Sequence, residues 1–305
     1  MSEALPTARD ALWPDHIAHS AADLDAAAAR LEQLGFTLAP RSKQLAPNAE
    51  GVLAETGMAN HCIMLPGRGY LEISGALFDG SAQVAAFREQ LARHVGLHLL
   101  ALGSPDPVYQ AERLNGAGFS PASNMNYQRM VPTEAGEELA RFTLAISPRD
   151  KMPEARLIMV RHETPDLLWQ DRWLTHANGA EALEDVVFVV PDPADSAARI
   201  GAFTGVAPVA AGAGRVLELA AGRIVLLPAV AAAPVLTDLP PLPAIAGYVL
   251  RVRDAAATAA TLARRVGGTG LVRGEGWVSV AGGPALGGTI VFAETGAGLP
   301  WPRLR

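Results

Sequence analysis

What most constrains this chain is a pattern that recurs four times: an apolar strand, a turn built on Asp or Pro-Asp, an Ala-rich helical stretch, a glycine, then further strands. The first copy starts at His16-Ile-Ala-His-Ser and passes Asp23-Leu-Asp into a helix from Ala26 to Leu34. It reaches Gly35-Phe36 and closes on the strand Tyr70-Leu-Glu-Ile. Asp23 reads as that helix's N-cap and Gly35 as its stop. The second copy starts at Gly96-Leu-His-Leu-Leu-Ala-Leu, passes Pro105-Asp-Pro into a helix from Val108 to Asn115, and ends on Arg156-Leu-Ile-Met-Val-Arg-His162. The third starts at Asp185 and the fourth at Gly247.

One such module alone leaves a strand face uncovered. The repeat therefore predicts an α+β protein of four βαβββ modules, paired into two domains with curved mixed sheets. The expected domains are residues 1–180 and 181–305. The segment 164–179 departs from the repeat. Its Trp169 and Trp173 are spaced for one helical face, which reads as a linker anchored on the first domain, with a lid over a pocket as the alternative. A Pro-rich connector, 231–243, joins modules three and four.

Several function classes lack their residues. Net charge is −6 with both signs interspersed, so no phosphate-binding stripe marks a nucleic-acid partner. No run approaches the roughly 18 apolar residues of a membrane span, and the N-terminus has no signal-like apolar core, so a cytoplasmic protein is expected. The lone Cys62 lies in an apolar run and reads as a small buried hydrophobe. There is no phosphate-cradling Gly-rich loop, GxSxG, HExxH or cysteine cluster.

What remains is a set of histidines and a glutamate at corresponding places in the repeat. His16 lies in the first strand of module one and Glu72 in its last; His98 and His162 occupy the first and last strands of module two. With His16 inward, strand alternation puts Ala18 and Ser20 inward and turns His19 away. The same alternation sets Tyr70 and Ser74 beside Glu72, a polar face where an ordinary core strand would be apolar.

These residues resemble the glyoxalase-like branch of the vicinal oxygen chelate superfamily. The matching stretches are Asp15-His16, Asp23-Leu24-Asp25, Gly35-Phe36, Asn60, Tyr70-Leu71-Glu72, His162-Glu-Thr-Pro165 and His176-Ala-Asn-Gly-Ala180. The resemblance covers roughly residues 12–180 and implies U-shaped sheets whose first and fourth strands converge on one divalent metal: Zn, Fe, Mn, Co or Ni. It implies His16, Glu72, His98 and His162 as ligands, with Glu72 also moving a proton. Asn60, His61, Tyr70 and His176 are the expected substrate or supporting contacts. His162 departs from the superfamily pattern, which has glutamate at that strand end.

The implied activity is metal-dependent lyase, isomerase or dioxygenase chemistry on a small oxygenated metabolite, with a homodimer as the expected assembly. The rival is a non-catalytic protein that sequesters small molecules in the same cavity. Modules three and four carry Asp185 and Gly247 where module one has His16, and no histidine follows His176. A supporting role is expected for that half, with Arg251 and Arg253 as candidate anion contacts.

Overall fold

The computed structural model describes residues 4–47 and 52–301. Four βαβββ modules follow one another. Module one comprises β1 (Trp13–Ser20), α1 (Leu24–Gln33), β2 (Ser42–Pro47), β3 (Leu53–Met64) and β4 (Tyr70–Ala76). A helix that the repeat does not contain, α2 (Ala82–Arg93), leads into module two: β5 (Gly96–Gly103), α3 (Pro107–Gly116), β6 (Ser123–Thr133), β7 (Gly136–Ile146) and β8 (Arg156–His162). Module three holds β9 (Ala182–Val189), α4 (Pro193–Thr204), β10 (Val209–Ala211), β11 (Gly214–Glu218) and β12 (Arg223–Leu227). The short α5 (Ala229–Ala232) precedes module four: β13 (Ala244–Arg251), α6 (Ala255–Val266), β14 (Leu271–Gly274), β15 (Trp277–Ala281) and β16 (Thr289–Ala293).

Local chemistry starts and stops these helices as expected. Asp23, Asp106, Asp192 and Asp254 each accept a hydrogen bond from a backbone N–H in the first turn of the helix that follows. Gly35, just past α1, adopts φ +88°, a left-handed conformation that a residue with a Cβ takes at a cost.

Modules pair into two eight-stranded mixed sheets, β2-β3-β4-β1-β5-β8-β7-β6 and β10-β11-β12-β9-β13-β16-β15-β14. In each, the two first strands meet antiparallel at the centre and each fourth strand runs parallel to its own first strand. Ile17, Leu71 and Leu100 on the outer face of the first sheet belong to one continuous core with Phe188, Ile224 and Phe292 of the second, which also takes in α1, α3, α4 and α6. Each large side chain buried there contributes about 1.5–3 kcal/mol. His19 sits in that seam. It is fully buried, hydrogen-bonded to the Leu286 carbonyl (2.9 Å) and the Tyr248 hydroxyl (3.1 Å), and faces away from His16 as strand alternation requires.

The segment after β8 forms two short 3₁₀ turns, 165–167 and 171–173, rather than one helix. It behaves as a linker: Trp169 donates to the Leu65 carbonyl, and Leu168, Trp169 and Trp173 join the inner core of the first sheet. Among the described residues no helix is long and apolar enough to cross a membrane.

Candidate active site

The first sheet curls until its edges meet. Ser42 of β2 donates to the Met130 carbonyl of β6, and Arg129 of β6 reaches Asn60 and Cys62 of β3. The concave face encloses a cavity of about 330 Å³ lined by His16, Glu72, Tyr70, Asn60, Tyr127 and Arg129 among its polar groups. Phe142, Leu144, Ile158 and Val160 form an apolar wall, while Arg149, Arg156 and residues of α2 also line the cavity. A small-molecule site has this composition: mostly apolar, with a few convergent polar groups.

His16 is the best-defined of these. Its Nδ1 lies 2.8 Å from Oδ1 of Asp15, and its ring stacks on Tyr70 at 4.3 Å. Asp15 is shared, because Nε2 of His162 lies 3.0 and 3.1 Å from its two oxygens. Burial alone would raise the Asp15 pKa; the charge of His162 and hydrogen bonds from both imidazoles hold it well below the usual carboxylate range. An ionised carboxylate only accepts. Both nitrogens facing it therefore carry hydrogens, which leaves Nε2 of His16 as the ring nitrogen available to the cavity.

Glu72 lies on the same inner face. β1 and β4 are parallel with His16 opposite Tyr70 and Ala18 opposite Glu72, so the carboxyl sits one strand over and one same-face position along. Ser74 donates to its Oε1 at 2.6 Å.

The structure brings His16, Glu72 and His98 to one cavity but not the four expected ligands to one point. Among the described residues no group of three or more His, Cys, Asp or Glu side chains is arranged to hold a metal ion. Strand register explains why. The first pair of each parallel ladder marks corresponding positions: His16–Tyr70, Leu99–Arg156, Asp185–Arg223 and Gly247–Thr289. The module-two counterparts of His16 and Glu72 are thus Leu99 and Ile158, neither of which binds metals. His98 is one residue off. The β1–β5 ladder skips a residue at Asp15 and another at His98, so these two occupy equivalent bulges immediately before the inward position.

The remaining placements follow. His98 donates Nε2–H to the His94 carbonyl (2.8 Å) and stacks on His94 at 4.0 Å. Burial, partly opposed by that bond, pushes its pKa down to about 4 and keeps it neutral. His162 does not line the cavity; it stands behind Asp15 against Phe142 and Trp169, with Nδ1 buried and lacking a partner among the described residues. Asn60 and Tyr70 line the cavity. His61 bonds the Ala39 carbonyl outside it, and His176 pins the linker by accepting from the Thr37 N–H and donating to the Met64 carbonyl. Arg251 and Arg253 pair with Glu181 and Glu184 near the seam between the sheets, not with a ligand site. Sequence reading passed over Asp15 as a partner and Arg129 altogether, although an arginine within the strand Tyr127-Gln-Arg-Met-Val is a signal of a polar inner face.

The glyoxalase-like domain family matches residues 15–204, more than half of the chain. The chain belongs to the glyoxalase-like domain family. No curated protein matches it. Solved structures with the same fold include a hypothetical protein from Staphylococcus aureus, at 10% identity and TM-score 0.63 over 93% of this chain and 99% of that one. A mutant of 4-hydroxymandelate synthase from Streptomyces coelicolor matches at 13% identity and TM-score 0.53, over 93% of each chain. A Mn(II)-bound glyoxalase from Novosphingobium aromaticivorans matches at 10% identity and TM-score 0.50, over 92% of this chain and 81% of that one. These likenesses establish the fold: two sheets of the vicinal oxygen chelate type. The superfamily contains metal-dependent enzymes; here the register supplies half of a four-ligand set, and the described residues do not fit a three- or four-ligand centre.

Proposed function

We propose that this glyoxalase-like protein is a lyase- or isomerase-type enzyme acting on a small oxygenated metabolite, with His16 as the group that moves a proton. The observation that carries this reading is the buried Asp15–His16 pair at the cavity wall. Burying an ionised carboxylate is costly unless it is paired. A pocket that merely sequesters ligands gains nothing from an imidazole whose tautomer is set in this way, whereas a general base requires it.

In this reading His16 Nε2 takes a proton from a carbon next to a substrate carbonyl. Asp15 stabilises the imidazolium that forms, as the buried carboxylate does in other imidazole-based catalysts. The imidazolium can deliver that proton to a neighbouring atom of the same substrate, and Glu72, one strand away and hydrogen-bonded by Ser74, is a second carboxyl that can accept a proton from one substrate atom and pass it to another. The apolar wall excludes water, so the charges that develop act in a low dielectric. His16 and Glu72 offer at most two positions to a divalent ion, and none of these steps requires one. The dioxygenase version, which needs two imidazoles and a carboxylate on iron, finds Leu99 and Ile158 where further ligands belong.

The test is solvent-deuterium exchange at carbon, followed by proton NMR, over a panel of neutral and anionic small carbonyl compounds. Wild-type protein is expected to catalyse exchange in at least one compound, and His16→Gln to lose it. Equal exchange in both proteins would remove His16 from the chemistry; no exchange across the panel would favour the sequestering role.

A further inference from the structure

We infer that the ligand of this cavity is a small organic carboxylate, bound through Arg129. The inference rests on the reading of the cavity as a substrate site and adds the charge and anchor of the substrate. Arg129 is 6% exposed and lines the cavity from β6. Its Nη1 donates to Asn60 Oδ1 at 3.2 Å and its Nη2 to the Cys62 sulfur at 3.3 Å, one neutral amide and one weak acceptor. Among the described residues no carboxylate forms a salt bridge with it. A guanidinium is always charged and presents a planar fork of five donors matched to a carboxylate. Among the described residues three of those donors have no hydrogen bond to a protein group, and the side chain lines the cavity.

The surroundings do not neutralise it. Burial pushes the Cys62 thiol and the Tyr70 and Tyr127 hydroxyls above their ordinary values, so these neighbours stay protonated at neutral pH. Among the described residues Glu72 is the one acidic side chain on the wall, and it forms no salt bridge with Arg129. Arg149 and Arg156 line the same cavity, among the described residues without a carboxylate partner; Arg156 donates to the Ser147 carbonyl. Among the described residues three arginines thus stand against one carboxyl in a chain whose net charge is −6. A cation-rich pocket in an acidic protein focuses its field on anions. The other buried arginines contrast with this one: Arg223 makes a two-point contact with Asp185, and Arg68 bonds with Glu184.

The cavity volume and the apolar wall of Phe142, Leu144, Ile158 and Val160 suit a compact body behind the anionic group. With the carboxylate on Arg129, that body lies within the cavity that also holds His16. The chemistry indicated is an oxygenated carboxylic acid whose proton-bearing carbon faces the imidazole.

Mandelate and mandelamide test this by calorimetry, because they share ring, hydroxyl and size but differ in charge. Wild-type protein is expected to bind the acid at least tenfold more tightly than the amide. Arg129→Gln should abolish that preference while leaving amide affinity within twofold, and Arg129→Lys should retain part of it, with circular dichroism checking that each variant is folded. Equal affinities in wild type, binding of neither probe, or an undiminished preference in Arg129→Gln would overturn the inference. The wild-type comparison stands even if a variant fails to fold. Binding requires no turnover, so an acid preference without proton exchange would sink the enzymatic reading and leave the carboxylate site in place.

Discussion

The two sheets share one topology, and their concave faces have opposite fates. In the first, the inward position of β1 carries His16 above an open cavity. In the second, the corresponding positions are closed in two ways. Asp185 is locked to Arg223 at 2.6 and 2.8 Å and accepts from the Trp301 indole at 3.0 Å, all three buried. At Gly247 a Cβ would meet the Thr289 carbonyl of β16 at 2.6 Å and the Leu236 side chain of the overlying connector at 3.0 Å. Valines of β9, β12 and β16 with Trp277 and Trp301 fill the rest. One fold becomes a site or a prop according to whether its concave face is left open or packed.

The comparison breaks most visibly at His16. His16→Gln is expected to lower proton exchange by about 10²–10⁴-fold, whereas Asp185→Asn leaves the rate per folded molecule unchanged. Similar losses in both would mean that the second sheet takes part in the chemistry. Stability should report the opposite asymmetry. Asp185→Ala removes the two-point partner of the buried Arg223 guanidinium and should cost about 3–5 kcal/mol in urea unfolding; a loss below about 1 kcal/mol would mean that the pair does not close that face.

How much of this was legible in the sequence divides along the same line. The four modules were legible because Asp caps, Gly stops and apolar alternation are local signals that the structure obeys at Asp23, Asp106, Asp192 and Asp254. The cavity-lining residues of the candidate site were legible mainly in module one. His98 looked equivalent to His16 because repeat counting cannot see a bulge, and a single skipped residue puts Leu99 in its place. Arg129 escaped because its significance lies in what it lacks, a carboxylate partner, which depends on curling β6 onto β3. The helix α2 was missed because it belongs to no repeat. Trp169 and Trp173 have helical spacing in the chain, but Trp173 ends a 3₁₀ turn and Trp169 lies between the two turns, where packing on the sheet decides the backbone.

The seam between the sheets supplies a pH test. Burial drives the His19 pKa from its ordinary 6.5 to about 4, against a smaller opposing effect of the Leu286 carbonyl. The unfolded chain therefore takes up the proton first. Stability is full above pH 6.5 and falls as pH drops toward 4, by about 3 kcal/mol from this residue. Urea midpoints at pH 7.5 and 4.5 should differ accordingly, and His19→Gln should flatten the slope; an unchanged slope would place the acid sensitivity elsewhere. The smallest expected effect is that of metal removal. Because the register leaves His16 and Glu72 without further ligands, dialysis against a chelator should keep the exchange rate within twofold, and a loss restored by Mn(II) would show that substrate oxygens complete a centre the side chains do not.

The most direct measurement is the tautomer of His16, read by two-bond proton–nitrogen correlation on histidine-labelled protein at pH 7.5. The expected spectrum has the hydrogen on Nδ1, bonded to Asp15, and Asp15→Asn should remove that preference. A hydrogen resident on Nε2 instead, with Nδ1 bare, would mean that the ring turns no basic nitrogen toward the cavity, and the division of labour between the two sheets would lose its foundation.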